Sequence, residues 1–299
     1  MRGGFAVELT VVVSTYERPE ALDAVLRALS EQSDDCFEVV VADDGSGPAT
    51  AAVVQRWRAA FGNRLRHLWQ PDDGFRLARV RNSAALTARP GYLVFMDGDC
   101  LPRRGFVRAM RRAARPRWFV AGRRLELSRA LTEDVLANRL PVHRWSLVRW
   151  LRSPADAAPL QALIPRDRRR VGARGVPEYE PPDRAYGYLL GVLSAHFQGV
   201  NGYDTRFVGW GEEDVDLAVR LRRLGLHCGH AGPQATLIHL WHPSVKERER
   251  PNWWLLQETE RSDRIEAVEG LRELAAEFGT QATAKRAGAS SSASEPVKQ

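Results

Sequence analysis

Asp97 and Asp99 flank a single glycine directly after the apolar run Tyr92 to Met96. A glycine between two carboxylates lets the backbone turn sharply, so both side chains can face one space. Hard cations seek such oxygens: Mg²⁺ or Mn²⁺ takes one or two carboxylates and completes its shell with phosphate oxygens and water, which suits a departing nucleoside diphosphate. An isolated Asp-Gly-Asp is most often an ordinary turn, and its place behind a buried-strand pattern is what sets this one apart. Asn201-Gly202-Tyr203-Asp204 precedes a rarer run, Gly209-Trp210-Gly211-Glu212-Glu213-Asp214-Val215-Asp216. Its carboxylates lead into an amphipathic helix, where negative charge is favourable at the N-terminus. Capping explains Asp214 or Asp216 blandly, whereas Glu213 and Asp214 could divide acceptor binding from proton removal, since crowding raises at least one pKa. His239 and His242 follow a short strand pattern, Ala235 to Ile238. A histidine pair is more often packing or surface, but imidazole is also a reasonable further ligand for Mn²⁺. His227 and His230 read as structural.

Elements that could bring these residues together are visible around them. Val7 to Val13, Phe37 to Ala42 and Tyr92 to Met96 are apolar on both faces, the pattern of strands buried in a parallel sheet. Leu65 to Trp69 is a fourth strand pattern and Trp118 to Ala121 a fifth. Helical spacing recurs through Leu22 to Gln32, around Val53 to Trp57, in Ala78 to Ala88, in Leu101 to Arg115 and in Asp214 to Leu224, the last capped by Gly225. Alternating strands and helices predict an α/β fold with a mostly parallel twisted sheet flanked by helices. Ligands of such sheets bind beyond the carboxyl ends of the strands, where the turns at Thr15, Asp43 and Asp97 fall.

Residues 140–183 carry seven prolines with Arg168, Arg169 and Arg170 among them, and read as an irregular insertion in a domain spanning 1–280, suited to a mobile acceptor loop. Trp145, Leu147, Val148, Trp150 and Leu151 among Arg144, Arg149 and Arg152 favour packing against the domain and, second, an anionic membrane bearing a lipid-linked acceptor. Residues 281–299, rich in Ala, Ser, Gly and Lys, read as a disordered tail.

The chain has 299 residues, 44 % hydrophobic, enough for a large core, and a net charge of +7 that suits anionic partners. Cys36, Cys100 and Cys228 are odd in number and widely spaced, which argues against a disulfide framework or zinc site. With neither a signal peptide nor a membrane span in the pattern, a cytoplasmic protein is expected, with room for peripheral contact at the inner face of the membrane.

Taken together these motifs resemble family 2 glycosyltransferases with a GT-A (Rossmann-like) fold, from Val7 to Pro243. Val12 to Pro19 resembles the family's first strand and base-binding turn, which implies Thr15, Tyr16 and Arg18 at the nucleotide; Val41 to Ser46 resembles the second nucleotide-contacting turn and implies Asp44. Gly74 to Asn82 is similar to the donor domains of chondroitin-polymerase-type enzymes, which implies Arg76, and Arg81 as second choice, near the uracil or pyrophosphate. Asp97-Gly98-Asp99 stands where the family binds its metal, with Asp99 on the ion and Asp97 on the ribose or ion. Gly209 to Asp214 looks like the corresponding segment of β-1,4-galactosyltransferases, which makes Asp214 the expected base and Glu213 an acceptor contact; His239 and His242 fall where that group places its metal-ligating histidine region.

The resemblance implies a metal-dependent, inverting transfer of a hexosyl or N-acetylhexosaminyl group from a nucleotide-sugar, expected to be a UDP-sugar, to a hydroxyl of a glycan, lipid-linked or small-molecule acceptor. Polysaccharide or glycoconjugate biosynthesis is the implied setting. Two rivals remain. A nucleotidyltransferase acting on sugar phosphates also uses paired acids and a metal, yet gives no reason for Trp210 to Asp216. A basic nucleic-acid-binding protein is suggested by the charge and by the arginines within 108–117 and 166–174, but these read mostly as solvated helix faces and loop charge, so no nucleic-acid partner is expected.

Overall fold

The computed structural model describes residues 8–152, 187–243 and 251–280. The chain opens with β1 (Leu9–Thr15), α1 (Pro19–Ser30), β2 (Phe37–Asp43), α2 (Pro48–Phe61), β3 (Leu65–Trp69), α3 (Leu77–Thr87) and β4 (Tyr92–Asp97). Every residue of β1 and β2 is buried. The reason is that successive side chains enter different cores: Val11, Val13, Val39 and Val41 join one apolar cluster, while Val12, Val40 and Ala42 join the other. Pro19 and Pro48 sit in the first turns of α1 and α2, where the missing N–H costs no helical bond.

Then come β5 (Cys100–Pro102), α4 (Phe106–Ala113), β6 (Trp118–Ala121), β7 (Arg124–Glu126), α5 (Arg129–Asn138) and α6 (Leu147–Arg152). After the undescribed stretch follow β8 (Leu189–Leu193), α7 (Ser194–Gly199), α8 (Glu213–Arg223), β9 (His227–Gly229), β10 (Leu237–His239) and α9 (Trp253–Arg261), and residues 271–280 are again helical. Seven strands form one sheet in the order β3-β2-β1-β4-β8-β6-β9, with only β8 running against its neighbours. The mostly parallel α/β sheet expected from the sequence is therefore present.

A second sheet, β5-β10-β7, was not anticipated, because strands of three residues are too short to show a period. Its formation shortens the helix expected over 101–115, which begins only at Phe106 once Cys100–Pro102 pairs with β10. The insertion expected from residue 140 starts with ordered turns: a short 3₁₀ turn over Val142–Arg144, then α6. Trp145 and Trp150 are buried there with ring centroids 4.8 Å apart, so these tryptophans pack inward, as the first of the two readings expected. The rest of the acceptor-loop stretch, from residue 153, and the tail from 281 lie outside the described residues. Among the described residues no helix is long and apolar enough to cross a membrane.

Candidate active site

The site forms where the two sheets meet. Asp97 ends β4 and Asp99 immediately precedes β5, so the Gly98 turn joins the large sheet to the small one. Gly98 donates its N–H to the Ser14 carbonyl at 2.7 Å, and a Cβ at that position would sit 2.6 Å from the same oxygen. Only glycine fits that approach. Thr15 follows at the end of β1, its buried hydroxyl without a hydrogen-bond partner among the described residues.

Asp99 Oδ2 is met by three cationic or imidazole groups: Arg18 Nη1 at 2.7 Å, His242 Nε2 at 3.4 Å and His239 Nε2 at 3.5 Å. The sequence separation is large, but β10 carries His239 alongside Cys100, and the Leu240 N–H closes onto the Asp99 carbonyl at 2.9 Å. Burial alone would raise the Asp99 pKa; the hydrogen bond from His239 and the charges of His239, Arg18 and His242 hold it below the usual range. Burial would likewise depress His239, yet hydrogen bonds with Asp99 and Glu126 push it up to about 9. One donor atom each of Asp99, Cys100 and His239 lies within 4.8 Å of the others. The buried Cys100 thiol is raised well above its ordinary value by burial and by Asp99, which keeps it neutral. Carboxylate oxygen and imidazole nitrogen remain as donors, a set that fits Mn²⁺ or Mg²⁺.

Asp97 turns the other way. Its Oδ1 accepts from Arg81 Nη2 at 2.9 Å, and Arg81, only 1 % exposed, also bonds Ser14 Oγ at 3.1 Å and the Gly187 carbonyl at 3.2 Å. The opposite guanidinium nitrogen, Nη1, pairs with Glu213 Oε1 at 3.5 Å, and the Tyr203 ring lies 5.4 Å beneath the cation. One buried arginine thus ties the Asp97 turn to the first turn of α8. Burial raises both Asp97 and Glu213 against the pull of Arg81. Glu213 Oε2 and Arg81 Nη1 are buried and make no hydrogen bond among the described residues, which leaves polar capacity unused beside Asp97 and Asp214. Asp214 follows, pushed up to about 8 by its enclosure and by the charge of Glu213. Gly187 passes so closely that a Cβ there would meet Asp214 Oδ2 at 2.5 Å.

The remaining residues expected at the site divide. Asp44, buried, accepts the Arg76 backbone N–H at 2.8 Å and the Gln70 amide at 2.5 Å; burial raises its pKa. The Arg76 side chain turns back to Asp73, bonding its carbonyl and carboxylate, so among the two arginines it is Arg81 that stands between the carboxylates. Tyr16 is 46 % exposed and donates its hydroxyl to Asp72 at 3.1 Å, on the same rim as Asp44 and Gln70. Asp216 leaves the site entirely: it is fully buried, pairs with Arg220 at 2.6 Å and accepts from Thr259 at 2.7 Å. The Asn201 to Asp204 turn is likewise structural, with Asn201 bound to Ala267 and Glu273 and Asp204 to Arg206. Two residues were missed by sequence reasoning, Glu126 and Ser14. Glu126 lies in a three-residue strand whose only signal, acid opposite histidine, depends on a pairing that the sequence does not display.

The model for glycosyl transferase family 2 matches residues 10–155, and a model for the N-terminal domain of galactosyltransferase matches residues 172–242. The validoxylamine A glucosyltransferase of Streptomyces hygroscopicus subsp. jinggangensis is 30 % identical over 238 residues, 73 % of this chain and 52 % of that protein. The chondroitin synthase of Pasteurella multocida is 24 % identical over 229 residues, 72 % of this chain and 23 % of its own. The chain spans about half the length of the first of these relatives. Among solved structures, S. aureus TarS 1–349 in complex with UDP superposes with a TM-score of 0.58 at 13 % identity, covering 89 % of this chain and 68 % of that one. The mannosyltransferase PcManGT of Pyrobaculum calidifontis, in complex with GDP-Man and Mn²⁺, gives 0.51 at 20 % identity over 85 % of this chain and 61 % of that one. These structural likenesses give the fold, GT-A.

Proposed function

The chain belongs to the family 2 glycosyltransferases, and from that premise we propose that it is an inverting, metal-dependent enzyme moving a hexosyl or N-acetylhexosaminyl group from a UDP-sugar to an acceptor hydroxyl. The observation that carries this reading is the buried Arg81 bridge, which holds Asp97 and Glu213 on one guanidinium and so sets the cation-binding turn beside the acids of α8. The nucleotidyltransferase reading gives no reason for the segment Trp210 to Asp216 that supplies those acids.

In this reading Asp99 and His239, with His242 beside them and Asp97 toward the ribose, would hold Mn²⁺ or Mg²⁺. Once bound, the ion supplies positive charge to the leaving diphosphate. Thr15, Tyr16 and Asp44 would contact the nucleotide, and Arg18 and Arg76, now paired with Asp99 and Asp73, would turn their guanidinium groups to its phosphates. Arg81 keeps a fixed positive charge under the site at no reorganisation cost during the reaction, the arrangement that favours a charge-building transition state over the ground state. Asp214 takes the proton of the acceptor hydroxyl as its oxygen attacks the anomeric carbon, and Glu213 orients that acceptor through its unsatisfied oxygen. A single displacement inverts the anomeric centre. The acceptor is a glycan, lipid-linked or small-molecule hydroxyl.

Asp214→Asn should abolish transfer while UDP-sugar binding stays near that of the wild type, measured by product formation and by calorimetric titration. Loss of donor binding in that variant would contradict the assignment. A nucleotide-sugar panel with and without Mn²⁺ tests the wider reading, which fails if no donor is turned over under either condition.

A further inference from the structure

We propose that Glu126, at the end of β7, is a positioning residue for the metal centre, acting through His239; this rests on the metal-dependent reading above. Strands β7 and β10 run parallel with Glu126 in register with His239, and the carboxylate Oε2 bonds the imidazole Nδ1. That contact uses up one ring nitrogen and leaves the other, Nε2, facing Asp99 Oδ2 at 3.5 Å. The ring is therefore held in one orientation from behind while Nε2 faces the carboxylate that would share the ion. Glu126 is itself held: Arg124, two residues earlier on the same strand, donates Nε to Glu126 Oε1 at 2.6 Å and stacks over Tyr188 with its Cζ 4.7 Å from the ring centre.

Among the described residues His242 has no carboxylate supporting it in this way. It sits past the end of β10, its Nδ1 is 3.0 Å from the Pro243 carbonyl, and its side chain is 40 % exposed against 7 % for His239. Two imidazoles thus face the same oxygen, but among the described residues it is His239 that a carboxylate holds from behind. Carboxylates that hold the distal nitrogen of a ligating histidine fix its tautomer and raise its basicity, and their removal weakens metal affinity by about 10–100-fold. The strand pairing, rather than any motif, is what identifies Glu126.

The test is titration of Mn²⁺ into the full chain with UDP present, followed by electron paramagnetic resonance of the free ion. Glu126→Ala should weaken Mn²⁺ binding by about 10–100-fold, and Glu126→Gln, which keeps an acceptor oxygen, should recover part of the loss. Far-ultraviolet dichroism confirms that each variant is folded. Because the effect runs through the imidazole, Glu126→Ala should add nothing in a His239→Ala background, a result that a general loosening of the fold would not give. Wild-type affinity in Glu126→Ala, or an equal further loss in the His239→Ala background, overturns the inference alone. No Mn²⁺ binding by the wild-type chain overturns the metal reading and this inference with it.

Discussion

Asp214 and Asp216 are two residues apart and do opposite work, a difference that lies in their partners. The unfolded aspartate titrates at about 3.9, while in the fold Asp214 is pushed up to about 8. The folded chain therefore holds this proton more tightly, and the contribution to stability is present at low pH and lost as pH rises from about 4 through 8. Asp214→Asn, which cannot ionise, should melt near the wild-type temperature at pH 4.5 and above it at pH 8, by an amount worth up to a few kcal/mol. Calorimetry at the two pH values checks the sign; a variant less stable than wild type at pH 8 would refute it. If Asp214 is the base proposed above, the same shift predicts that transfer rises with pH towards 8 as it ionises. At this scale the acidic motifs were legible, because Asp97, Asp99, Glu213 and Asp214 announce themselves by type and spacing. The choice between Arg76 and Arg81 was not, since it depends on which face of α3 meets the sheet.

At the level of elements, α8 does double duty, presenting Glu213 and Asp214 at its N-terminus while Asp216 and Arg220 pin its buried face. Arg220 bonds the carbonyls of Val200 and Gly202 at 2.7 and 2.8 Å, and Asp216 receives the Thr259 hydroxyl from α9. Removing one partner of a fully buried pair strands the other charge, a cost of about 3–5 kcal/mol. Asp216→Ala should thus lower stability by that amount in urea unfolding, whereas Asp214→Asn should not; equal effects would show that α8 is held some other way. Helix boundaries were readable to a residue or two where apolar spacing is regular, as in α3 and α8. The short strands that escaped were fixed by pairing across the chain: β5 and β7 are three residues each and β8 reverses the large sheet's direction, whereas β10 was legible as the strand pattern Ala235 to Ile238, though not its partners.

Across the molecule, the large sheet carries Asp97 and the turns after β1 and β2, the small sheet carries Glu126 and His239, and α8 brings Glu213 and Asp214, the proposed base. A ligand contacting all three should bind the folded chain far better than the unfolded one. At 100 times Kd the gain is about 2.7 kcal/mol, or roughly 5–10 °C in Tm for a domain near this size. UDP with Mn²⁺ should raise Tm by that order in the wild type and much less in Asp99→Asn; an equal shift in both would remove Asp99 from the ion's shell. The parallel sheet and its carboxyl-end site were legible because strands buried on both faces leave an unmistakable apolar run. The seam between the two sheets was invisible, being held by contacts between residues far apart in the chain, such as Arg18 with Asp99 and His239 with Asp99.

That separation has a temporal side. Asp99 leaves the ribosome well before its imidazole neighbours, and the loop that joins them must close against its chain entropy before the proposed metal site is complete. A nascent chain that has emerged only through β8 already has β1 to β4 available to pair, yet it lacks the donors of β10. Catalytic competence should switch on late in synthesis, as a step rather than a gradual rise, when residues near 239–242 dock onto β5.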